Sequence, residues 1–328
     1  VTSKPLDDYA WEHSRNGSFQ VVFDAEDVHV DYREGWPALT DVAAKIRFHG
    51  NQFDLEARRA SIHGNRVERL DAHIGALAPI APLEVSGEVS GPLQNTLGVL
   101  SEPALQERFA GFTDGLAARG DSRLTLDFTV PLGKHGDYAL DGHLHFADNA
   151  LTLAGWDFAM DAINGDLAFT LDGLTAKGIR ASTLGAPVRI DVGTRDDGTS
   201  RVSARARLGA AQALQRIGDI GDGIATGRAD FIVDVDVPSR SAAGHQPTRL
   251  AVRSPLQGIA IALPPPLGKQ AAERRDLHLR LPLTGNAGTG SLTYGRRLKA
   301  RFSGDGRRIG IGVGGGEPTL SPQAGIDI

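Results

Sequence analysis

The sequence predicts an all-β protein with a few short helices, in which a long, strongly curved antiparallel sheet of repeated units forms an open hydrophobic groove. Three observations lead to this fold class. Apolar and polar side chains alternate along most of the chain, turn-forming dipeptides separate the alternating stretches, and helical spacing is rare. Alternation is typical of strands because successive side chains point to opposite faces of a sheet.

Four stretches show the alternation most clearly, at 123–130, 201–208, 228–237 and 277–283. In the third of these, Val233 and Val235 alternate with Asp234 and Asp236, so one face is apolar and the other is charged. Antiparallel sheets commonly have one such solvated face. We therefore expect these aspartates to lie on a solvated outer face rather than in a catalytic carboxylate pair.

Tight hairpin turns are predicted at Asp-Gly dipeptides that begin at 114, 141, 172, 197, 222 and 305, and at Asn-Gly dipeptides that begin at 16 and 164. These residues favour the positive φ that such turns need. Residues 92–109 and 209–217 instead have apolar side chains at helical spacing. They predict two short amphipathic helices that lie against the sheet.

An internal repeat is visible at an offset of 121 residues, where Arg59-Ala60-Ser61 matches Arg180-Ala181-Ser182 and Phe48 matches Phe169. Repetition of this kind is typical of units stacked in one dimension. We expect one continuous repetitive groove over residues 1–328, with units at about 19–130 and 140–237, C-terminal strands at 248–313 and a mobile tail at 314–328. Because the chain begins at Val1, we interpret it as an interior fragment of a longer protein.

Composition excludes several classes of function. The chain has no cysteine, which excludes disulfides and thiolate metal sites, and its net charge of -5 disfavours a nucleic-acid binder. Aromatic residues make up only 6% and form no cluster with carboxylates, so a carbohydrate-processing enzyme is disfavoured. We predict no enzyme activity, no cofactor and no metal. No run of about 18 apolar residues is present, so any membrane anchor must lie outside this chain.

An apolar sheet face must be covered by helices, a second sheet, its own curvature or a ligand. Two short helices are too few, and repetition favours a bent sheet with an open groove over a closed barrel or a sandwich. A large apolar surface of this kind should hold aliphatic material. A 14-carbon acyl segment would gain on the order of 11 kcal/mol on burial, before entropy losses.

The residues predicted to line the groove are the apolar members of the alternating stretches. They are Phe23, Ile46, Phe48, Leu124, Leu126, Phe128, Leu144, Phe146, Leu167, Phe169, Val188, Ile190, Val202, Phe231, Val233, Val235, Ile259, Ile261 and Leu263.

Several segments resemble the YhdP branch of the AsmA-like envelope proteins, the bacterial relatives of bridge-like lipid transfer proteins. The most specific segment runs from Leu256 to Pro264 and continues as Pro266-Leu267-Gly268-Lys269. Gly35-Trp36-Pro37-Ala38-Leu39, Gly87 to Leu93 and Gly185 to Val188 also match. Together these segments cover most of residues 19–283.

The resemblance implies a taco-like β groove in the periplasm of the Gram-negative envelope, tethered to the inner membrane by an anchor not contained in this chain. It implies non-enzymatic transport of phospholipids between the inner and outer membranes, with phospholipid acyl chains as partners and a role in outer membrane biogenesis. Both membranes would be contacted by regions outside the fragment. The resemblance identifies no catalytic residues in this chain. The alternative is an envelope scaffold or interaction protein whose apolar face packs against protein rather than lipid.

Other motifs carry weaker hypotheses. Gly310, Gly312 and Gly315 fit a dinucleotide motif but no helix is predicted to follow, so a glycine-rich edge strand is favoured. His143 and His145 share a strand face without a third ligand of fixed spacing. A basic run of Arg296, Arg297, Lys299, Arg301, Arg307 and Arg308 is either the polar side of a hairpin or a site for anionic headgroups.

Two tryptophans occupy equivalent positions in the repeat, Trp36 and Trp156. They fit either the lip of the groove, where a lipid's interfacial region would pass, or core packing at a repeat boundary.

Overall fold

The computed structural model describes residues 19–31, 35–77, 81–100, 102, 115–132, 138–153, 158–215, 223–238, 247–283, 288–303, 307–314, 316–320 and 325–327. These residues contain twenty strands and two short helices, and all but one of the pairings between strands are antiparallel. The predicted fold class is therefore confirmed. The chain divides into two compact units, the first formed by 1–105, 121–144 and 168–171, and the second by 106–120, 145–167 and 172–328.

The first unit consists mainly of six long strands that pair side by side in the order β1, β2, β3, β4, β5, β7. Their bounds are β1 Gln20–Val30, β2 Leu39–His49, β3 Gln52–Ile62, β4 Asn65–Ile74, β5 Pro82–Pro92 and β7 Asp121–Pro131. Between β5 and β7 lie helix α1 (Leu93–Val99) and the short strand β6 (Leu116–Arg119). Residues of β8 (Ala139–Leu153) and β9 (Phe158–Thr170) fall in both units.

The second unit continues with antiparallel neighbours along the chain. Its elements are β10 Leu174–Thr183, β11 Ala186–Thr194, β12 Ser200–Gly209, α2 Ala210–Gln215, β13 Ala225–Val237, β14 Arg249–Ser254, β15 Ile259–Ile261, β16 Leu277–Pro282, β17 Thr289–Tyr294, β18 Leu298–Ser303, β19 Arg308–Val313 and β20 Gly325–Asp327. Strand β13 pairs with β15 at its start and with β14 at its end. Strand β20, which lies in the predicted tail, pairs parallel to β19.

Both predicted helices form within the described residues. Helix α1 packs against β5 and β7, and α2 packs against β12 and β13. Leu93 anchors α1 with no exposed surface, and the side chain of Asn65 donates to Thr96 Oγ1 at 3.0 Å. Thr96 in turn lies 3.1 Å from Ser122 Oγ, so a buried polar chain ties the helix to β4 and β7. The first helix is shorter than predicted, because Pro92 ends β5 and Leu100 and Glu102 lie beyond the helix. Residues 101 and 103–109, and Ile217 of the second predicted helix, lie outside the described residues.

Two of the predicted hairpin turns are wrong. Asp141-Gly142 lies inside β8 and Asn164-Gly165 lies inside β9. A Cβ at Gly142 would lie 2.2 Å from the ring of Phe169, and one at Gly165 would lie 3.2 Å from Ile179. Glycine is needed at these positions for the close approach of a neighbouring strand. The turns predicted at Asp172-Gly173 and Asp197-Gly198 do connect consecutive strands.

Unusual backbone conformations recur at the predicted repeat offset. Asp27 and Asp148 both have positive φ, as do Asp41 and Ala162. His63-Gly64 and Leu184-Gly185 share it as well, and each of these pairs is 121 residues apart in the sequence. Asp27 and Asp41 lie where the register of β1 and β2 shifts, at β-bulges that bend and twist a strand. These equivalences support our proposal that the two repeat units share one backbone plan.

The most family-specific segment of the sequence folds into a closed loop after β15. The buried amine of Lys269 donates to the carbonyl oxygens of Leu256 at 2.8 Å, Gln270 at 3.0 Å and Ile259. The Arg275 guanidinium donates to the carbonyls of Pro266 at 3.0 Å and Gly268 at 2.9 Å. Desolvation lowers the pKa of Lys269, which is the expected effect of burying an amine without a carboxylate partner. The two cations thus hold the loop by capping backbone carbonyls.

We predict that Lys269→Met destabilises the protein by about 1–3 kcal/mol, because buried carbonyls lose their donor. The matched control is Lys299→Met, which removes an amine whose partner Glu317 is 70% exposed and should cost less than about 1 kcal/mol. Denaturant unfolding of both variants measures the difference. Equal losses in the two variants would contradict the role given to Lys269.

Candidate functional site: the apolar face

Cross-strand pairing in the first unit aligns apolar side chains into rows. One row crosses all six paired strands, each member facing the next in the register of the sheet. Its residues are Phe23, Ile46, Leu55, Ala72, Val85 and Phe128. A second row contains Ala25, Ala44, Ala57, Leu70, Gly87 and Leu126. We call the surface formed by these rows the apolar face of the first unit.

The second unit has a longer row of the same kind, which passes through nine strands. Its members are Ile179, Ile190, Ala204, Val233, Val252, Leu279, Leu292, Ala300 and Ile311. A neighbouring row contains Ala176, Val192, Val202, Val235, Leu250 and Leu281. These two rows define the apolar face of the second unit. No charged residue interrupts any of the four rows.

The apolar faces are partly exposed rather than sealed. Ile46, Val85 and Phe128 are half-buried, and Phe23 is 45% exposed. In the second unit, the row from Ala204 to Ile311 is half-buried throughout. A second layer packed face to face would bury these side chains as a core. Val252 and Leu292 nevertheless pack against a buried cluster in the second unit, and Leu55 and Leu70 pack against one in the first. Among the described residues, Val233 and Leu279 belong to neither cluster and are not among the side chains packed against them.

Two apolar clusters are fully buried, and further buried apolar side chains, among them Leu144, Phe146 and Ile190, lie outside them. In the first unit, Val42, Ala44, Ala57, Ala60 and Val67 form a cluster of mostly small residues. In the second, a cluster gathers where α2, β13 and the loop after β14 meet. Its members are Ala210, Ala225, Ala229, Phe231, Leu256, Ile259 and Tyr294. Among the described residues, apolar burial is thus complete along parts of each sheet and incomplete along the rest.

The opposite face of each sheet is polar. In the first unit, the residues that alternate with the apolar rows include Asp24, Lys45, Glu56, Asp71, Ser86 and Asp127, which form a row of their own. A recess of 320 Å³ lies there, lined mainly by charged side chains. A second recess of 620 Å³, on the polar face of β13 to β17, is lined by Arg201, Arg249, Arg253 and Arg280 among others. Neither recess suits an aliphatic ligand.

Ion pairs organise the polar face of the second unit. Arg201 donates two hydrogen bonds to Asp236, at 2.6 and 2.7 Å, and this guanidinium lowers the pKa of Asp236. Hydrogen bonds from the backbone N–H of Gly178 and from Arg205 lower the pKa of Asp191. Asp234 departs from the expectation of a solvated position. It is only 4% exposed, because Ser203 and Arg253 donate to its two oxygens.

An aromatic contact places the β1–β2 connection over the apolar face of the first unit. The ring of Trp36, in the β1–β2 connection, stacks on Phe128 of β7 with centroids 5.3 Å apart. Strand β7 lies four strands away from β2 across the sheet. Followed through the pairing of these strands, Leu39 lies opposite the start of β7 near Arg123, which is five residues before Phe128. A flat sheet would hold Leu39 and Phe128 about 25 Å apart.

The three residues from Trp36 to Leu39 can span at most about 11 Å. The two side chains and the 5.3 Å between their rings cover the rest of this distance, so the segment before Leu39 must reach across the sheet toward β7. Since Phe128 belongs to the apolar row, the apolar face is the one that the Trp36 ring covers. The Gly35–Ala38 segment lies over that face.

The predicted lining residues divide into three groups by exposure. Phe23 and Leu263 are exposed, and Leu263 lies in the loop after β15 rather than in a strand. Eleven are half-buried: Ile46, Phe48, Leu124, Leu126, Phe128, Leu167, Phe169, Val202, Val233, Val235 and Ile261. Six are buried: Leu144, Phe146, Val188, Ile190, Phe231 and Ile259. These six support the wall and offer little surface to a ligand.

Several residues of the rows were not predicted, among them Leu55, Val85, Val252, Leu279 and Leu292. Each lies opposite a predicted or half-buried apolar residue in the neighbouring strand. The alternation in their own strands was visible in the sequence, so they could have been included. Which of them share a row depends on the register.

The weaker motifs are accounted for by local contacts. His143 pairs with Asp141 at 3.1 Å and His145 pairs with Asp166 at 2.7 Å. No group of three possible metal ligands occurs among the described residues. Gly310 and Gly312 lie in β19, where a Cβ would collide with the backbone of Thr319 and Gly316. In β18 the basic Lys299 and Arg301 alternate with the apolar residues of the strand.

None of the described helices is both long enough and apolar enough to cross a membrane.

Comparison with protein families matches residues 2–328 to the YhdP protein family. Among curated proteins, the intermembrane phospholipid transporter YhdP of Escherichia coli strain K12 is 20% identical over 333 residues. The match covers 98% of this chain and 26% of that relative, so the chain spans about a quarter of its relative's length. No solved structure matches.

We predict that a single cysteine at Leu279 reacts readily with a thiol reagent, because this half-buried side chain lies in the row but outside the buried clusters. The chain has no native cysteine, so each variant carries one reactive group. Ile190→Cys, in the same row but only 5% exposed, is the control and should react at least tenfold more slowly. Equal protection at both positions would show that the apolar face is covered.

We predict that acid destabilises the protein partly through Asp236. Its pKa lies below the ordinary 3.8 in the folded state, so its stabilising effect is present above that pH and is lost as the pH falls below it. Asp236→Asn should therefore weaken the dependence of the free energy of unfolding on pH between about pH 4 and pH 2. Arg201→Met removes the partner and should have the same effect. An unchanged pH dependence in both variants would contradict this assignment.

Proposed function

This chain belongs to the YhdP family, and on that premise we propose that it carries phospholipids between membranes by holding their acyl chains against its apolar face. The observation that carries the proposal is the set of uninterrupted apolar rows, of which long stretches, such as that from Ala204 to Ile311, are only half-buried. An aliphatic chain would complete the burial that the protein leaves unfinished. The name of the Escherichia coli relative, an intermembrane phospholipid transporter, supports the same choice of ligand.

The aliphatic side chains of the rows suit movement of an acyl chain along the sheet rather than tight binding at one position. Aliphatic contacts gain only about 0.1–0.2 kcal/mol per atom pair and have no preferred direction. A chain that slides from one row to the next exchanges equivalent contacts, so no single position holds it strongly. The total burial, at about 0.8 kcal/mol per methylene, still keeps the chain out of water. Transport of this kind needs no bond to be made or broken, and we propose no enzymatic step.

The polar faces would keep the outside of the conduit in water. Their carboxylates and guanidinium groups are paired across strands, as in Arg201–Asp236 and Arg205–Asp191. Such pairs satisfy charge locally on the outer side. We propose that the chain works in the periplasm, as one section of a longer protein whose inner-membrane anchor and outer-membrane contacts lie elsewhere.

The main competing function is a scaffold whose apolar face packs against another protein. The scaffold and the lipid conduit differ in what covers the apolar rows, which is protein in the first and lipid in the second. Gentle purification followed by lipid extraction and mass spectrometry should recover phospholipid bound to this chain. A protein that carries no lipid, with its apolar face covered by a partner polypeptide, would support the scaffold and contradict the conduit.

We predict that Val233→Asp lowers photocrosslinking of a phospholipid probe to the second unit at least tenfold, because the new carboxylate interrupts the central row. Ile232→Asp is the matched control. Ile232 is the next residue in the same strand, is also half-buried, and pairs with Arg205 and Arg253 in the polar face. Circular dichroism should show both variants folded. Equal crosslinking in the two variants would contradict transport along the apolar face.

A further inference from the structure

Three aromatic rings lie in sequence over the apolar face of the first unit. Trp36 stacks on Phe128 at 5.3 Å with planes 25° apart, and Phe128 stacks on Tyr138 at 6.3 Å with planes 26° apart. Trp36 is half-buried, Tyr138 is 39% exposed, and Pro37, beside Trp36, is buried. We call Trp36, Phe128 and Tyr138 the aromatic stack.

The apolar row leads directly to this stack. Phe128 is the last member of the row that begins at Phe23, and the row residues between them are all aliphatic. Because its ring stacks on that of Phe128, Trp36 projects over the row instead of continuing it in the plane of the sheet. A chain seated along the row would therefore meet aromatic surface on the sheet side and on the side of the β1–β2 connection.

The ring spacing limits where a ligand can lie. Packed carbon atoms approach to about 3.5–4.0 Å, so a methylene chain between two rings needs roughly twice that separation. The 5.3 Å between Trp36 and Phe128 leaves no such space. A chain held at the stack therefore lies on the outer surface of the indole or separates the two rings, and in either position it touches Trp36.

From this geometry we infer that the aromatic stack is a binding site for one phospholipid acyl chain, at which Trp36 holds the chain against the row that ends at Phe128. The inference rests on the proposed function and makes it specific to one place in the first unit. Large flat rings suit this task because they offer a wide contact area and lose little conformational entropy. Trp36 then serves as a clamp on the chain and not as part of a closed core.

Fluorescence of Trp36 tests the site directly. The chain has three tryptophans, so Trp11→Phe and Trp156→Phe leave Trp36 as the only indole. This protein is loaded with phosphatidylcholine brominated on its acyl chains or with the same lipid without bromine. Bromine quenches indoles only at short range, and we expect the brominated lipid to reduce Trp36 emission at least twofold. Mass spectrometry measures how much of each lipid is bound.

The outcomes separate the inference from the proposed function. Bound brominated lipid without quenching overturns the inference and leaves the proposed function standing. Failure to bind any lipid overturns both. Quenching that follows lipid occupancy supports the site.

A pair of substitutions provides a second measurement. Trp36→Ala should lower the bound lipid per chain about threefold, whereas Trp36→Phe keeps a ring on Phe128 and should retain most of it. Circular dichroism checks that both variants are folded. Equal occupancy in Trp36→Ala and the unsubstituted chain would contradict the role of a clamp.

Discussion

Hydrogen-bonded register is the constraint on which the rest of this structure depends. Neighbouring strands pair in long antiparallel ladders, so the position of a residue along its strand decides which face its side chain occupies. In the second unit, nine strands keep Ile179, Val233 and Ile311 in a single row, although more than a hundred residues separate the first from the last. Two faces of opposite character follow from this alignment. The apolar and polar faces are separated by the strands themselves, so no covering layer is needed to keep them apart.

The small residues explain how the sheet can bend without a large core. Ala44, Ala57 and Ala60 are buried in the first unit, where bulges at Asp27 and Asp41 disturb the register. Short side chains on the inner side of a bend avoid crowding, and bulges increase local twist. Larger side chains at the alanine positions would oppose the bend.

The sequence was informative wherever the structure depends on local pattern. The alternation of Val233 and Val235 with aspartates predicted β13 and its two faces, and the apolar spacing after Pro92 predicted α1. It was misleading where a contact joins distant strands. Gly142 has the signature of a turn, yet it makes room for Phe169, and Asp234 is buried by Arg253 from the next strand. The burial of Leu144 and Ile190, and the position of Trp36 over Phe128, also depend on neighbours that no single segment reveals.

The bulges have a consequence for how chains of this kind can change in length. Removing one residue from a regular strand would turn every later side chain in that strand to the opposite face, and would place charges among the apolar residues. A bulge already contains one extra residue. Losing that residue restores regular pairing, and gaining another shifts the pairing only near the bulge. We therefore expect single-residue insertions and deletions among homologous chains to gather near Asp27, Asp41, Asp148 and Ala162, while the strands between them vary only by two residues at a time.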